Sequence, residues 1–325
     1  MAGRAVARLY LRHGSAWGVF FSVAAGVAGR TRGPVFGAQA SATRLAQLGL
    51  AGLVFLGSTA FAQTSVYLDT NGGSSGSGIT NGASINWDAG TTSNWTTRAQ
   101  GANGGAPVKT WSSVAAGTKD AVFSAGGDAG AAYTMNVSGT IANLRNLTFE
   151  EGSVTITGGT SLALAATSTV NVRPGLTATI NTAISGAGFG LTNAGAGTLT
   201  LGGSASNTYT GMTTVKAGTL ALSKTGGATA LAGNITIGSG SGAATLQLAG
   251  SNQIAPSAGV TLAAGGTPVL NLNGFSQQIG SLASSNTNAQ VQLGSPGGAT
   301  TFTVGDSSST TYAGAITGGA NAAFV

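Results

Sequence analysis

The sequence predicts an all-β chain wound as a right-handed parallel β-helix, or β-solenoid. Three observations point there. Short runs alternate apolar with small or polar residues at period two, the pattern of strands with one buried and one wet face. Leu-x-Leu pairs begin at Leu199, Leu220, Leu246 and Leu270, at steps of 21, 26 and 24 residues, within the range that marks a solenoid, propeller or array. Propeller blades need about 40–45 residues, roughly twice that step. Finally, glycine supplies 56 of the 325 residues, and with Asn it separates the runs where a chain turns through positive φ.

Taken in order, the chain divides into three. Residues 1–62 read as a leader. Arg44 precedes the apolar run from Leu45 to Gly57, and Ala60-Phe61-Ala62 supplies a small-x-small cleavage pattern before Gln63, as in a Sec-type signal peptide. The run is too short for a membrane span. The Arg-rich, acid-free residues 1–34 also resemble a transit peptide, or an extension upstream of a true start at Val35 or Leu45. Residues 63–129 form an N-terminal Trp-containing β cap region, with Gly-rich turns such as Gly72-Gly73-Ser74-Ser75-Gly76 around Trp87, Trp95 and Trp111. These three rings are candidates for stacking on sugars through their apolar faces or for covering the open end of a solenoid. The second role is the expectation.

Residues 130–325 carry the β-helix repeats. The strand-like runs are 133–137, 146–149, 153–157, 161–164, 169–172, 198–201, 219–222, 234–237, 245–248 and 269–272. At roughly 22 residues per coil this part makes some nine coils and a rod of about 40 Å. Leu, Ile and Val should stack in ladders inside, with Thr, Ser and Asn outside. Thr310–Gly319 resembles Thr179–Gly188, the stretch that leads into the repeat at Gly195. The chain stops where another repeat should begin, so a truncated solenoid, the N-terminal piece of a longer protein, is expected.

Charge and chemistry exclude much. The formal net charge is +6, but six of the basic residues are Arg4, Arg8, Arg12, Arg30, Arg32 and Arg44, and the first acid is Asp69. Residues 64–325 hold seven basic and seven acidic residues, so no cationic surface for nucleic acid is expected. The one histidine is His13 in the leader, and there is no Cys. A Ser-His-Asp triad and His or thiolate metal sites are therefore excluded beyond the leader. No catalytic residue, metal ligand or cofactor is predicted. Glu150 and Glu151 are adjacent, and on a strand they would point to opposite faces, unlike the facing acids of a glycosidase. Asp69, Asp88 and Asp306 are scattered. Asp120 and Asp128 with Lys119 are the nearest thing to a cluster. Asn136-Val137-Ser138 and Asn234-Ile235-Thr236 match glycosylation sequons, which arise by chance in so Asn-rich a chain.

The sharpest signal runs from Gly195 to Leu220. It reads Gly-x-Gly-x-Leu-x-Leu, then Asn207-x-Tyr209-x-Gly211-x-Thr213-x-Val215-x-x-Gly218-x-Leu220. This stretch resembles the autotransporter-associated β-strand repeat, also called the passenger-associated transport repeat, with two residues inserted between Gly203 and Asn207. Leu199, Leu201, Asn207, Tyr209, Gly211, Gly218 and Leu220 occupy its motif positions and should be structural. The Trp87–Trp95 block and Asp120–Phe123 resemble the leading region of the same surface proteins. The resemblance implies a secreted β-helical passenger of a type V system, working with outer-membrane export machinery or a barrel domain encoded downstream, and located outside the cell or at its surface. The function so implied is a non-enzymatic passenger or stalk, with adhesion to a surface polysaccharide or host ligand as its extension. The alternatives are a polysaccharide-active β-helix enzyme and a carbohydrate-binding module built on the Trp block.

Overall fold

The computed structural model describes residues 64–325 apart from 103–107, 129, 240–241, 295–298 and 320. The leader and its cleavage site lie outside the described residues. Among the described residues every regular element is a strand, and there is no helix.

The chain alternates between two long sheets, which is what makes it a solenoid. After residue 190 it passes from Leu191–Asn193 in the first sheet to Thr198–Gly203 in the second. It then returns to Thr213–Val215 in the first and passes to Gly218–Lys224 in the second. Each return lands parallel to the previous strand of the same sheet. The second sheet has ten strands, from Ser84–Trp87 to Ala315–Thr317, all parallel. The coils number about nine. Both sheets run without a break across residue 130. Thr64–Leu68 and Lys119–Val122 already pair in parallel in the first sheet, and Ser84–Trp87 pairs with Tyr133–Val137 in the second. Near the N-terminal end the first sheet adds two antiparallel strands, Ser93–Thr96 and Lys109–Thr110. A third, short parallel sheet joins Gln277–Ile279, Thr300–Val304 and Ala322–Phe324.

Register explains the Leu spacing. Leu199 lies beside Leu220, Leu220 beside Leu246, and Leu246 beside Leu270, all four fully buried. Unequal steps in sequence thus reach one column in space, because coils differ only in the length of their corners. Val154 and Ala178 extend the column toward the N-terminus and Val291 toward the C-terminus. On the outer face Thr169, Thr192, Thr214, Thr236 and Thr261 form one continuous row of five.

Two inward positions break the apolar pattern. Asn193 sits in the column between Val170 and Val215 and donates from Nδ2 to the Ala217 carbonyl at 2.9 Å. Lys224 follows Leu220 and Leu222 on the inward side of its strand and is buried. Gly203 lies in register beside it on one flank, where no side chain competes for the space. Glu150 and Glu151 sit at a corner, with Glu150 exposed. The strand Thr140–Phe149 ends before them, and they lie in the turn that follows.

Candidate functional site

The repeat motif builds a corner. The side chain of Asn207 stands in for a peptide group. Its Oδ1 accepts the Ile184 N–H of the preceding coil at 2.9 Å, and its Nδ2 donates to the Ala230 carbonyl of the following coil at 3.0 Å. A corner has no strand partner for these groups, and a buried N–H or C=O without one is costly. Tyr209 is fully buried and its hydroxyl meets Thr213 Oγ1 at 2.9 Å. Burial pushes its phenol well above the ordinary value, although that hydrogen bond works the other way. Gly211 is required by closeness: a Cβ there would lie 2.4 Å from the Phe189 carbonyl carbon and oxygen. Gly218 combines φ of 62° with a Cβ position 2.4 Å from the Gly197 oxygen. Leu199, Leu201 and Leu220 fill the core beneath. The corner is thus a device for stacking coils, with no reactive group.

Sequence reasoning did not reach two residues that do the same work. Gln253 accepts the Lys224 N–H at 2.7 Å and donates to the Lys224 carbonyl at 3.0 Å. Gln277 holds Ile254 in the same way, at 3.1 and 2.8 Å. Both are buried. Their signal was a buried amide recurring one or two coils beyond Asn207, which is hidden because the residue type changes from Asn to Gln.

Trp87, Trp95 and Trp111 come together. Their ring centroids are 5.0–5.2 Å apart in tilted and edge-to-face contacts. Phe123 joins Trp87 at 5.5 Å and stacks on Phe149 at 4.6 Å. The three Trp are 0–2% exposed, so their faces meet each other and not solvent. Trp111 Nε1 donates to the Ala142 carbonyl at 2.8 Å. The Lys119 ammonium lies 5.3 Å from the Trp111 ring centroid, a cation–π placement, and burial lowers its pKa.

The acids separate into local ties. Asp120 accepts two hydrogen bonds from Arg145, at 3.0 and 3.2 Å. Asp128 accepts from the Ser77 N–H at 2.8 Å, the Ser77 hydroxyl at 2.6 Å and the Gly78 N–H at 3.3 Å. Asp69 accepts the Asn71, Gly72 and Ala102 N–H groups. Asp88 binds the Gly90, Thr91 and Thr92 N–H groups. Burial alone would raise the pKa of Asp88 and Asp128, but these bonds outweigh it and hold both below the usual carboxylate range. Asp120, Asp128 and Lys119 are therefore engaged in three different networks. Among the described residues no three His, Cys, Asp or Glu side chains converge.

The fold and its corner thus define a class: a parallel β-solenoid carrying a passenger-associated transport repeat. Residues 191–222 match the family model described as "Passenger-associated-transport-repeat", the stretch that holds Asn207, Tyr209 and Gly211. The chain is also similar to a protein named "Adhesin BmaC autotransporter" from Brucella suis biovar 1 (strain 1330), with 34% identity over 202 residues. That alignment covers 62% of this chain and 5% of the relative, so the chain spans a small fraction of the length of the curated protein it matches. No solved structure matches the chain.

Proposed function

We propose that this chain is a segment of a non-enzymatic, cell-surface β-helical passenger whose work is mechanical: to be exported, to wind into a stiff rod outside the cell and to present its faces for adhesion. The observation that carries this reading is the continuity of the solenoid through the matched repeat. Residues 191–222 are not a separate module but two successive coils in the middle of unbroken sheets. Such a rod folds by adding coils to a finished edge, which suits a chain that crosses a membrane unfolded and winds up beyond it. The partners proposed with it are Sec, through the leader, and an outer-membrane barrel encoded downstream. The acids speak for the non-enzymatic part, since the carboxylates of Asp69, Asp88 and Asp128 are occupied by backbone N–H groups and that of Asp120 by Arg145. The Trp block speaks against a lectin face, since its rings pack on one another.

Protease shaving of intact producing cells tests this reading. The chain should be cleaved and released from whole cells, and the N-terminus of the exported form should be Gln63 or a residue within a few positions of it. A chain protected until the cells are lysed, with its leader intact, refutes it.

A further inference from the structure

At one corner the rod departs from its own rule. Beyond Arg173 its surface is almost free of charge: only Lys216, Lys224 and Asp306 are Lys, Arg, Asp or Glu, and Lys224 points inward. Yet Glu150, Glu151 and Arg173 meet in a single groove of about 380 Å³. The groove lies where the strands Thr140–Phe149 and Ser168–Val172 of adjacent coils end, and Thr148, Phe149, Asn171 and Pro174 complete it. Arg173 and Glu150 are exposed on neighbouring coils, but they form no ion pair. The Arg173 guanidinium reaches only the Glu150 backbone carbonyl, at 3.5 Å. The following coil turns through Gly195 and Gly197, and a Cβ at Gly195 would stand 2.7 Å from Asn171 Oδ1. Gly195 therefore adds no side chain against Asn171.

We propose that this groove binds a neutral, hydroxyl-rich oligosaccharide and is the adhesive contact of the passenger, an inference that rests on the surface reading above. A sugar presents hydroxyls that both donate and accept, around an apolar C–H face. The groove offers the matching set: a carboxylate that only accepts at Glu150, a guanidinium that only donates at Arg173, an amide that does both at Asn171, a hydroxyl at Thr148 and the exposed ring of Pro174 as the apolar platform. With two carboxylates and one guanidinium there is no excess of positive charge, which disfavours polyanions.

Calorimetric titration of the purified chain with neutral hexasaccharides of the cello-, xylo-, malto- and chito- series tests the proposal, with a sulfated heparin oligosaccharide alongside. At least one neutral hexasaccharide should bind. Arg173→Ala and Glu150→Gln should each weaken it about tenfold, while Lys109→Ala, on the surface of the N-terminal strands, should not. Both groove positions are exposed, so the circular dichroism and melting of the variants should match the parent. Failure of every neutral sugar to bind, binding indifferent to both groove variants, or preference for heparin would overturn the proposal. None of these results bears on cell-surface exposure, which shaving measures separately, so the two readings fail independently.

Discussion

The N-terminal region, residues 64–128, and the repeat coils that follow share the same two sheets but are held together by different means. The repeat coils rely on stacking: each inward Leu, Ile or Val lies beside its counterpart in the next coil, and buried amides at Asn207, Gln253 and Gln277 bridge the corners. From residue 152 to residue 305 this needs no acid. The N-terminal region has longer, irregular connections and two antiparallel strands, and although Val66 and Ile85 head columns that continue into the coils, its long turns have no neighbouring coil to copy. Those turns are tied by carboxylates that gather backbone N–H groups, at Asp69, Asp88 and Asp128, and by an interlocked cluster of aromatic rings. Periodic sequence can use the neighbouring coil as its template, whereas aperiodic sequence must supply a specific anchor for each turn.

That contrast is most easily broken at the centre of the Leu column. Leu220→Asp would bury a carboxylate between Leu199 and Leu246 with no partner. The loss should exceed about 3 kcal/mol and should spread along the coils, because each one is the template of the next. Denaturant unfolding followed by circular dichroism would show it. In a chain that starts at Gln63 every Trp lies between residues 87 and 111, so Trp emission reports the N-terminal region and not the coils. A Leu220→Asp variant as stable as the parent would contradict the ladder.

The corner amide is the next largest effect. Asn207→Ala leaves the Ile184 N–H and the Ala230 carbonyl buried without partners, which should cost about 3 kcal/mol. Asn207→Gln should lose clearly less, because Gln253 and Gln277 show that the longer amide can span a corner. Removing an anchor from the other region by Asp88→Ala should cost about 1 kcal/mol or less, since Asp88 is partly exposed and its loop remains in water. Equal losses at Asn207 and Asp88 would erase the distinction drawn between the regions.

How much of this was readable from the sequence follows the same division. The Leu spacing exposed the column, and the motif marked Asn207, Tyr209, Gly211 and Gly218, because positions that recur once per coil leave a trace in one dimension. Handled by spacing alone, Gln253 and Gln277 leave little trace, since corners vary in length and the amide changes type. The N-terminal anchors were invisible for a different reason. Asp128 holds Ser77 across 51 residues and Asp69 holds Ala102 across 33, and neither contact repeats. The parallel pairing of Thr64–Leu68 with Lys119–Val122 was missed likewise, because so long a connection hides the period. The groove at Glu150 and Arg173 depends on two corners aligning, which no spacing rule announces.

Lysine 224 sharpens the comparison from inside the coils. It is inward-facing, its Nζ has no hydrogen-bond partner, and burial lowers its pKa to about 8. Between that value and the unfolded value near 10.4, the unfolded chain binds the extra proton. Stability must therefore rise as pH increases through that window. Lys224→Met keeps the aliphatic volume and removes the charge. It should stabilise the coils by about 1–2 kcal/mol at neutral pH and abolish their alkaline gain. Urea midpoints at a series of pH values would check both. A variant weaker than the parent at neutral pH would mean that the amine has a partner in solution.

Acid should discriminate the two regions most directly, though with the smallest change in energy. Asp88 and Asp128 have folded pKa values held below the usual range by the N–H and hydroxyl groups they accept from. A depressed carboxylate contributes stability that is complete above its unfolded pKa, near 3.9, and is lost as pH falls through its folded value. Below about pH 4 the anchors of residues 64–128 should therefore loosen, while the acid-free coils from residue 152 to residue 305 have no carboxylate to protonate. Hydrogen exchange at descending pH, corrected for intrinsic rates, should show protection falling first around Ser77, Gly78 and Thr92 and last in the strands Thr198–Gly203 and Gly218–Lys224. Trp emission should shift before the far-ultraviolet signal does. Asp128→Asn keeps the oxygen that accepts from Ser77 but cannot titrate, so it should flatten the acid response near Ser77 and leave that near Thr92 in place. Simultaneous loss of protection in both regions would mean that the N-terminal region templates the coils so tightly that the difference in anchoring has no energetic consequence.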